Sequence, residues 1–208
     1  MTPSLLHPAY FPSVASFAAI VQAETLLFEA MDNYQKQTYR NRFYIYASDG
    51  KQTLTVPIKH SRSTAKQKYK DVLIENNFNW QKQHWRTLET AYRTSPFFEF
   101  YEDEISPLFQ EVHTSLYELN LKSIQLICDC MQFDLSFNRT KEYLKNYSKD
   151  LNDYRYLIHA KQPLPFELTA YTQVFGEKYG YLKNLSILDL LFNEGPQALD
   201  FLKTQKLP

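Results

Sequence analysis

The sequence predicts a mixed α/β fold, with an α+β arrangement as the alternative, and three patterns carry that expectation. A strand–helix–strand pattern opens the chain, a hairpin signal surrounds Asp49-Gly50, and helical periodicity dominates from Asn79 onward. One unit over residues 1–208 is expected, strand-rich over 1–78 and mainly helical over 79–208, because this length suits one core better than two.

Ser4–Phe11 reads as a strand stopped by Pro12. Ser13 then caps a helix through about Val21, with Val14, Phe17, Ala18 and Val21 on one face. Thr25–Glu29 reads as a second buried strand, so the first two strands are expected to lie parallel across a crossover helix. Phe43–Ala47 and Gln52–Ile58 alternate around Asp49-Gly50, a pair suited to a tight turn. His60–Lys70 lacks apolar periodicity and reads as an exposed loop, with Asp71–Glu75 as a possible returning strand.

Asn79 can cap a helix to about Thr94, with Trp80, His84, Leu88 and Tyr92 spaced by four on one stripe. A helix opening at Ser106-Pro107 would use Leu108, Val112 and Leu116, and another over Leu121–Phe133 would bury Ile124, Ile127 and Met131. Tyr143–Leu157 is polar and reads as a surface loop. Helical pieces are expected at Leu168–Lys178, Ser186–Phe192 and Pro196–Lys203, with Asp189 placed as a capping-box partner of Ser186.

Composition narrows the function classes. The formal net charge is zero, which disfavours a general nucleic-acid binder. Between Lys36 and Lys70, however, nine basic residues face one acid, Asp49, so a local anion site is expected there. The 16 Tyr and 15 Phe fit either a bulky core or aromatic binding surfaces. Cys128 and Cys130 point to different sides of a helix and read as small core residues, which with the absence of a leader or membrane span leads to an expected cytoplasmic location. No glycine-rich phosphate loop or nucleophile elbow is present, and the five histidines lack paired metal-ligand spacing. The sequence names neither a metal nor a cofactor.

The best constellation is the polar, aromatic run Asn33–Arg42. Lys36, Arg40 and Arg42, with Lys59 and Arg62 further on, suit a phosphate or carboxylate, while Tyr39 and Asn41 suit a sugar or base; a solvated connector is the plain alternative. His84, in the Trp80–Tyr92 stripe, is a candidate base or a core histidine. His7 ends the first strand just before a helix, a common ligand position in α/β folds, or else makes a structural hydrogen bond.

Several of these segments together resemble the WbqC-like family. They are His7-Pro8-Ala9-Tyr10-Phe11-Pro12, the Asn33–Arg42 run, Trp80-x-x-x-His84 with Tyr92 and Pro96-Phe97-Phe98, and the tail from Asn184 to Pro196. This chain departs from the family pattern in carrying His7 where Gln is usual, Ala15 and Ser16 where Gly and an aromatic often stand, and Tyr39 where Trp is common. The resemblance implies a setting in bacterial O-antigen or other surface-polysaccharide synthesis, with transfer of glycine or another small acyl group to a sugar. On that basis the expected partner is a nucleotide sugar or another phosphorylated small molecule. The basic run would hold its diphosphate and His84 or His7 would take the proton. A non-catalytic sugar-, nucleotide- or protein-binding module is the rival reading, and RNA binding through Lys59–Lys70 is the weakest one.

Overall fold

The computed structural model describes residues 3–59, 66–147 and 150–208. Its centre is a four-stranded, all-parallel sheet in the order β5-β2-β1-β6, formed by β1 (Ser4–Leu6), β2 (Leu26–Phe28), β5 (Phe137–Arg139) and β6 (Asn152–Asp153). The opening strand–helix–strand unit is present, with Ser4, Leu5 and Leu6 opposite Leu26, Leu27 and Phe28. The first strand stops at Leu6, so His7–Ser13 is a loop at its carboxyl end.

The helix between them, α1 (Val14–Val21), starts where expected: the Ser13 hydroxyl accepts from the Ser16 N–H. All eight of its residues are buried, and none is charged. It is therefore an interior helix rather than a one-sided one, packed against β1 and against two C-terminal helices, α6 (Ile187–Glu194) and α7 (Ala198–Thr204).

The hairpin pairs β3 (Arg42–Ala47) with β4 (Gly50–Thr55). Its two-residue turn is Ser48-Asp49, one residue earlier than the sequence pattern indicates. Gly50 already pairs with Ala47 and takes φ +112°, which glycine adopts without a Cβ penalty. Phe43, Ile45, Leu54 and Val56 are buried together on one side, as the alternation requires. Beyond the hairpin, Ile58 bridges Ile74 and Leu73 bridges Ser115, but Asp71–Glu75 builds no strand. Tyr69, within the run read as exposed loop, is fully buried and begins a 3-10 turn over Tyr69–Asp71.

The helical part holds α2 (Trp80–Tyr92), α3 (Phe98–Ile105), α4 (Leu116–Cys130) and the single turn α5 (Gly176–Tyr179). Trp80, His84, Leu88 and Tyr92 all face inward. Ser106-Pro107 continues α3 as a 3-10 turn instead of opening a new helix, and Val112 is exposed. The next helix begins at Leu116, where the Ser115 hydroxyl accepts from the Glu118 N–H. Leu168–Lys178 is largely irregular. Cys128 is buried and Cys130 half-buried, and burial pushes both thiols up to about 12, where they behave as small apolar groups.

Asp189 is not the capping partner that its spacing indicates. Its carboxylate is fully buried and accepts hydrogen bonds from Tyr92 Oη (2.7 Å), Tyr171 Oη (2.6 Å) and Gln173 Nε2 (2.9 Å). Burial raises its pKa and outweighs the hydrogen bonds from Tyr171, Tyr92 and Gln173, which lower it. Tyr92 Oη also accepts from the Tyr46 N–H at 3.1 Å, so Asp189 ties α6, α2 and the hairpin into one network. The capping role is closed as well, because the N–H of buried Ser186 already donates to the Tyr44 carbonyl at 2.9 Å.

Candidate functional site

The carboxyl ends of parallel strands lie along one edge of a sheet, and ligands of open α/β folds bind there, at the point where strand order reverses. Here β2 and then β5 follow β1 to one side, whereas β6 returns to the other side of β1. That reversal sets His7, just after β1, near Asp153 and Arg155, at and after the end of β6. Together with Asp32, downstream of β2, they line a cleft of about 300 Å³.

His7 Nε2 donates to Asp32 Oδ2 at 2.9 Å, and Arg40 Nη2 donates to the same oxygen at 2.8 Å. Burial by itself would raise the Asp32 pKa. The hydrogen bond from His7 and the Arg40 charge outweigh it, so the carboxyl stays below its usual range and ionised. An ionised carboxylate only accepts, so the His7 proton sits on Nε2 and the Nδ1 lone pair is left over. Nδ1 is buried and has no hydrogen-bond partner among the described residues. Burial first, and the Arg40 charge second, lower the His7 pKa to about 4, so the ring is neutral at pH 7.

Two further carboxylates organise the same edge. Arg155 binds Asp153 in a fork, Nε to Oδ1 at 2.9 Å and Nη2 to Oδ2 at 2.6 Å, and its Nη1 lies 3.5 Å from Glu29 Oε2. Glu29, at the end of β2, is fully buried; its Oε1 accepts from Thr140 Oγ1 at 2.7 Å, just past β5. Residues at the four strand ends thus form two adjacent groups along this edge, His7–Asp32–Arg40 and Asp153–Arg155–Glu29–Thr140. Tyr156, which also lines the cleft, has a buried hydroxyl without a partner among the described residues.

The His7–Ser13 loop is held from the far end of the sequence. Val14 N–H donates to the Leu185 carbonyl (2.9 Å), Ile187 N–H to the Pro12 carbonyl (2.8 Å) and Ser186 Oγ to the Phe11 carbonyl (3.1 Å). Phe11 has φ +41°, a costly conformation for a bulky residue, and these bonds with Phe11 N–H to Ser123 Oγ (3.2 Å) enforce it. The tail motif therefore fixes the loop that carries His7.

The sequence-derived candidates part company in space. Arg40 is completely buried, paired with Asp32 and packed 5.2 Å from the Tyr69 ring centre. Its guanidinium shapes the cleft's electrostatics from within instead of standing free for a diphosphate. Lys36 and Lys59 are exposed, Arg42 is half-buried in β3, and none of the three lines the cleft. Arg62 lies outside the described residues. Asn41 is buried, its Nδ2 donating to the Val56 carbonyl at 3.0 Å. Tyr39 is buried and lines a neighbouring cavity.

His84 is remote from this chemistry. It is enclosed by Tyr10, Phe43 and Trp80, and its Nδ1 is 3.2 Å from Tyr10 Oη. Burial lowers its pKa to about 4. That is a core histidine, and it does not line the His7 cleft. Asp32, Glu29, Asp153, Arg155 and Tyr156 are the site residues that sequence reasoning missed. A faint signal existed in Asp153-Tyr154-Arg155-Tyr156, an acid and a base two apart between tyrosines, inside a segment with no apolar pattern.

Among the described residues no group of three or more His, Cys, Asp or Glu is arranged to hold a metal ion, and no helix is long and apolar enough to cross a membrane.

Comparison with known proteins supplies a family and leaves the chemistry open. The chain is 28% identical to the uncharacterized protein Rv1507c of Mycobacterium tuberculosis, with 96% of each chain covered. No solved structure matches. The model of the WbqC-like protein family matches residues 7–162, starting at His7 and spanning the cleft. On that match over about three quarters of its length, the chain belongs to the WbqC-like protein family.

Proposed function

We propose that this chain is a cytoplasmic transferase of bacterial surface-polysaccharide biosynthesis, moving an aminoacyl or acyl group onto a nucleotide-linked sugar in the His7 cleft. The observation that carries this reading is the His7–Asp32 pair: a neutral imidazole with its Nε2–H fixed by a carboxylate and its Nδ1 lone pair unpartnered. Sugar hydroxyls suit a cleft of this kind, because Asp32 and Asp153 offer acceptors and Tyr143 and Tyr156 offer ring faces.

In the transfer step the accepting hydroxyl or amine attacks the acyl carbon of an activated ester or thioester donor. The new C–O or C–N bond forms as the proton passes to His7 Nδ1, which is buried in the resting structure and has to be uncovered as the substrate seats against it. The bond from the acyl carbon to its leaving group then breaks, and the imidazolium returns the proton to that group. Asp32 stabilises the imidazolium throughout. A low resting pKa keeps His7 in its accepting form at neutral pH.

One observation favours a binding module instead. Both cleft arginines are already paired inside the protein, Arg40 with Asp32 and Arg155 with Asp153, so neither is a free anion holder. Binding without turnover is the signature of that alternative.

A thermal-shift panel of nucleotide sugars tests the proposal. A true ligand at ~100 times its dissociation constant stabilises the fold by ~2.7 kcal/mol. That shift should shrink in Asp153→Ala, which removes a cleft acceptor. A panel that leaves the melting temperature unchanged, or a shift indifferent to Asp153→Ala, would contradict sugar binding in the cleft.

A further inference from the structure

A second cavity, of about 280 Å³, adjoins the first. Neighbouring residues on two segments divide between them. Tyr39 lines the second cavity and Arg40 the first, while Ala160 lines the second and Ile158 and His159 the first. The Tyr39 N–H donates to the Ile158 carbonyl at 2.9 Å, so the partition is a bonded one, a single chain segment thick. Its core is a small apolar cluster of Ala9, Tyr39 and Ile158, separate from the main core.

The second cavity differs in chemistry from the His7 cleft. Its aromatic wall is Tyr39 and Tyr44, packed edge to face at 5.6 Å and 82°. Lys51 Nζ stands 4.8 Å from the Tyr44 ring centre, and Lys51 is exposed. Lys183 is paired with Glu167 at 2.6 Å, with side chains 62% and 80% exposed. Such an exposed pair gains little from its Coulomb attraction, so a ligand anion can replace Glu167 as the partner of Lys183.

Asn184 supplies direction. It sits at φ +54°, in the left-handed region, and its Oδ1 accepts from the Ala15 N–H at 2.9 Å. That bond fixes which end of the amide is oxygen, and leaves the NH2 end to donate. The cavity thus presents a ring-stacking wall, a hydrogen-bond donor and two cations. Together these match a planar heterocycle with an acceptor on its edge and a phosphate attached.

We infer that this second cavity binds the nucleotide portion of the substrate, with the base against Tyr44 and Tyr39, an edge acceptor on Asn184, and phosphate on Lys51 and Lys183. The choice of a nucleotide among planar anions rests on the transferase reading above; the aromatic and cationic character rests on the cavity alone.

Isothermal titration with UMP, CMP, GMP and AMP tests the site without requiring turnover. At least one of them should bind the wild-type chain. Tyr44→Ala should weaken that binding about 5- to 150-fold, the range for loss of one base–aromatic stack. Lys51→Glu, on an exposed side chain where folding is not at risk, should weaken it too, and more strongly at low salt. His7→Gln, across the partition, should leave it unchanged. Failure of all four nucleotides to bind would overturn the inference, as would binding that follows His7→Gln and ignores Tyr44→Ala and Lys51→Glu. Nucleotide binding here with no transfer to any sugar would sink the transferase reading and leave this site standing. Transfer that is indifferent to Tyr44→Ala and Lys51→Glu would do the reverse.

Discussion

Asp32→Asn is expected to lower stability by about 3–5 kcal/mol, the cost of leaving one member of a buried ion pair without its partner. Arg40 is completely buried and its guanidinium reaches Asp32 Oδ2 at 2.8 Å. An asparagine keeps the shape but removes the charge, and the guanidinium cannot shed its proton to escape. For a chain of this length that loss corresponds to a melting temperature roughly 10 °C lower. The companion variant is informative because it separates charge from packing. Arg40→Met in the Asp32→Asn background removes the stranded cation and should recover much of the loss, giving a large coupling in the double-mutant cycle. Denaturant unfolding of the four chains measures it. Additive single-variant costs would show that Asp32 and Arg40 do not stabilise one another.

The second large effect is kinetic. His7→Gln is expected to slow transfer by about 100- to 10,000-fold, the usual contribution of a positioned general base. Glutamine offers the same two hydrogen-bonding functions. Its amide NH2 can donate to Asp32 and its carbonyl can accept from a bound hydroxyl, but it has no lone pair basic enough to take the proton. The substitution therefore isolates proton transfer from binding: kcat should fall while KM stays near the wild-type value. A loss confined to KM would instead make His7 a ligand-holding residue.

The parts of the fold that were legible in the sequence are those with strong local signals. Ser13 as a cap before an apolar run, the alternation of Phe43–Ala47 and the stripe Trp80–Tyr92 each correspond to an element in place. β5 and β6 were not legible because they are three and two residues long, in polar segments that carry no period. Their existence depends on pairing with β2 and β1, a long-range condition that no local window contains. The candidate site follows the same division. His7 was legible as a strand end, but Arg155 and Asp153 belong to β6 and its exit, and the strand reversal that brings them to His7 is a property of topology alone.

The basic run shows a different limit. Charge counting places Lys36, Arg40, Arg42, Lys51 and Lys59 together, yet burial assigns them to different tasks. Arg40 goes inside with Asp32, Lys51 stands at the Tyr44 ring of the second cavity, and Lys36 and Lys59 remain on the surface. Asp189 makes the same point from the other side, since its spacing fits a cap while two tyrosines and a glutamine claim its oxygens.

The central claim is that burial and the Arg40 charge hold His7 neutral, while Asp32 fixes its proton on Nε2 and leaves the Nδ1 lone pair to accept. Nitrogen-15 NMR of the histidine side chains tests it directly, with assignment through the spectrum of His7→Gln. The account predicts a His7 ring protonated at Nε2 alone throughout neutral pH, charging only as the pH approaches about 4. A ring protonated at Nδ1, or one that becomes charged near the ordinary histidine value of about 6.5, would contradict it.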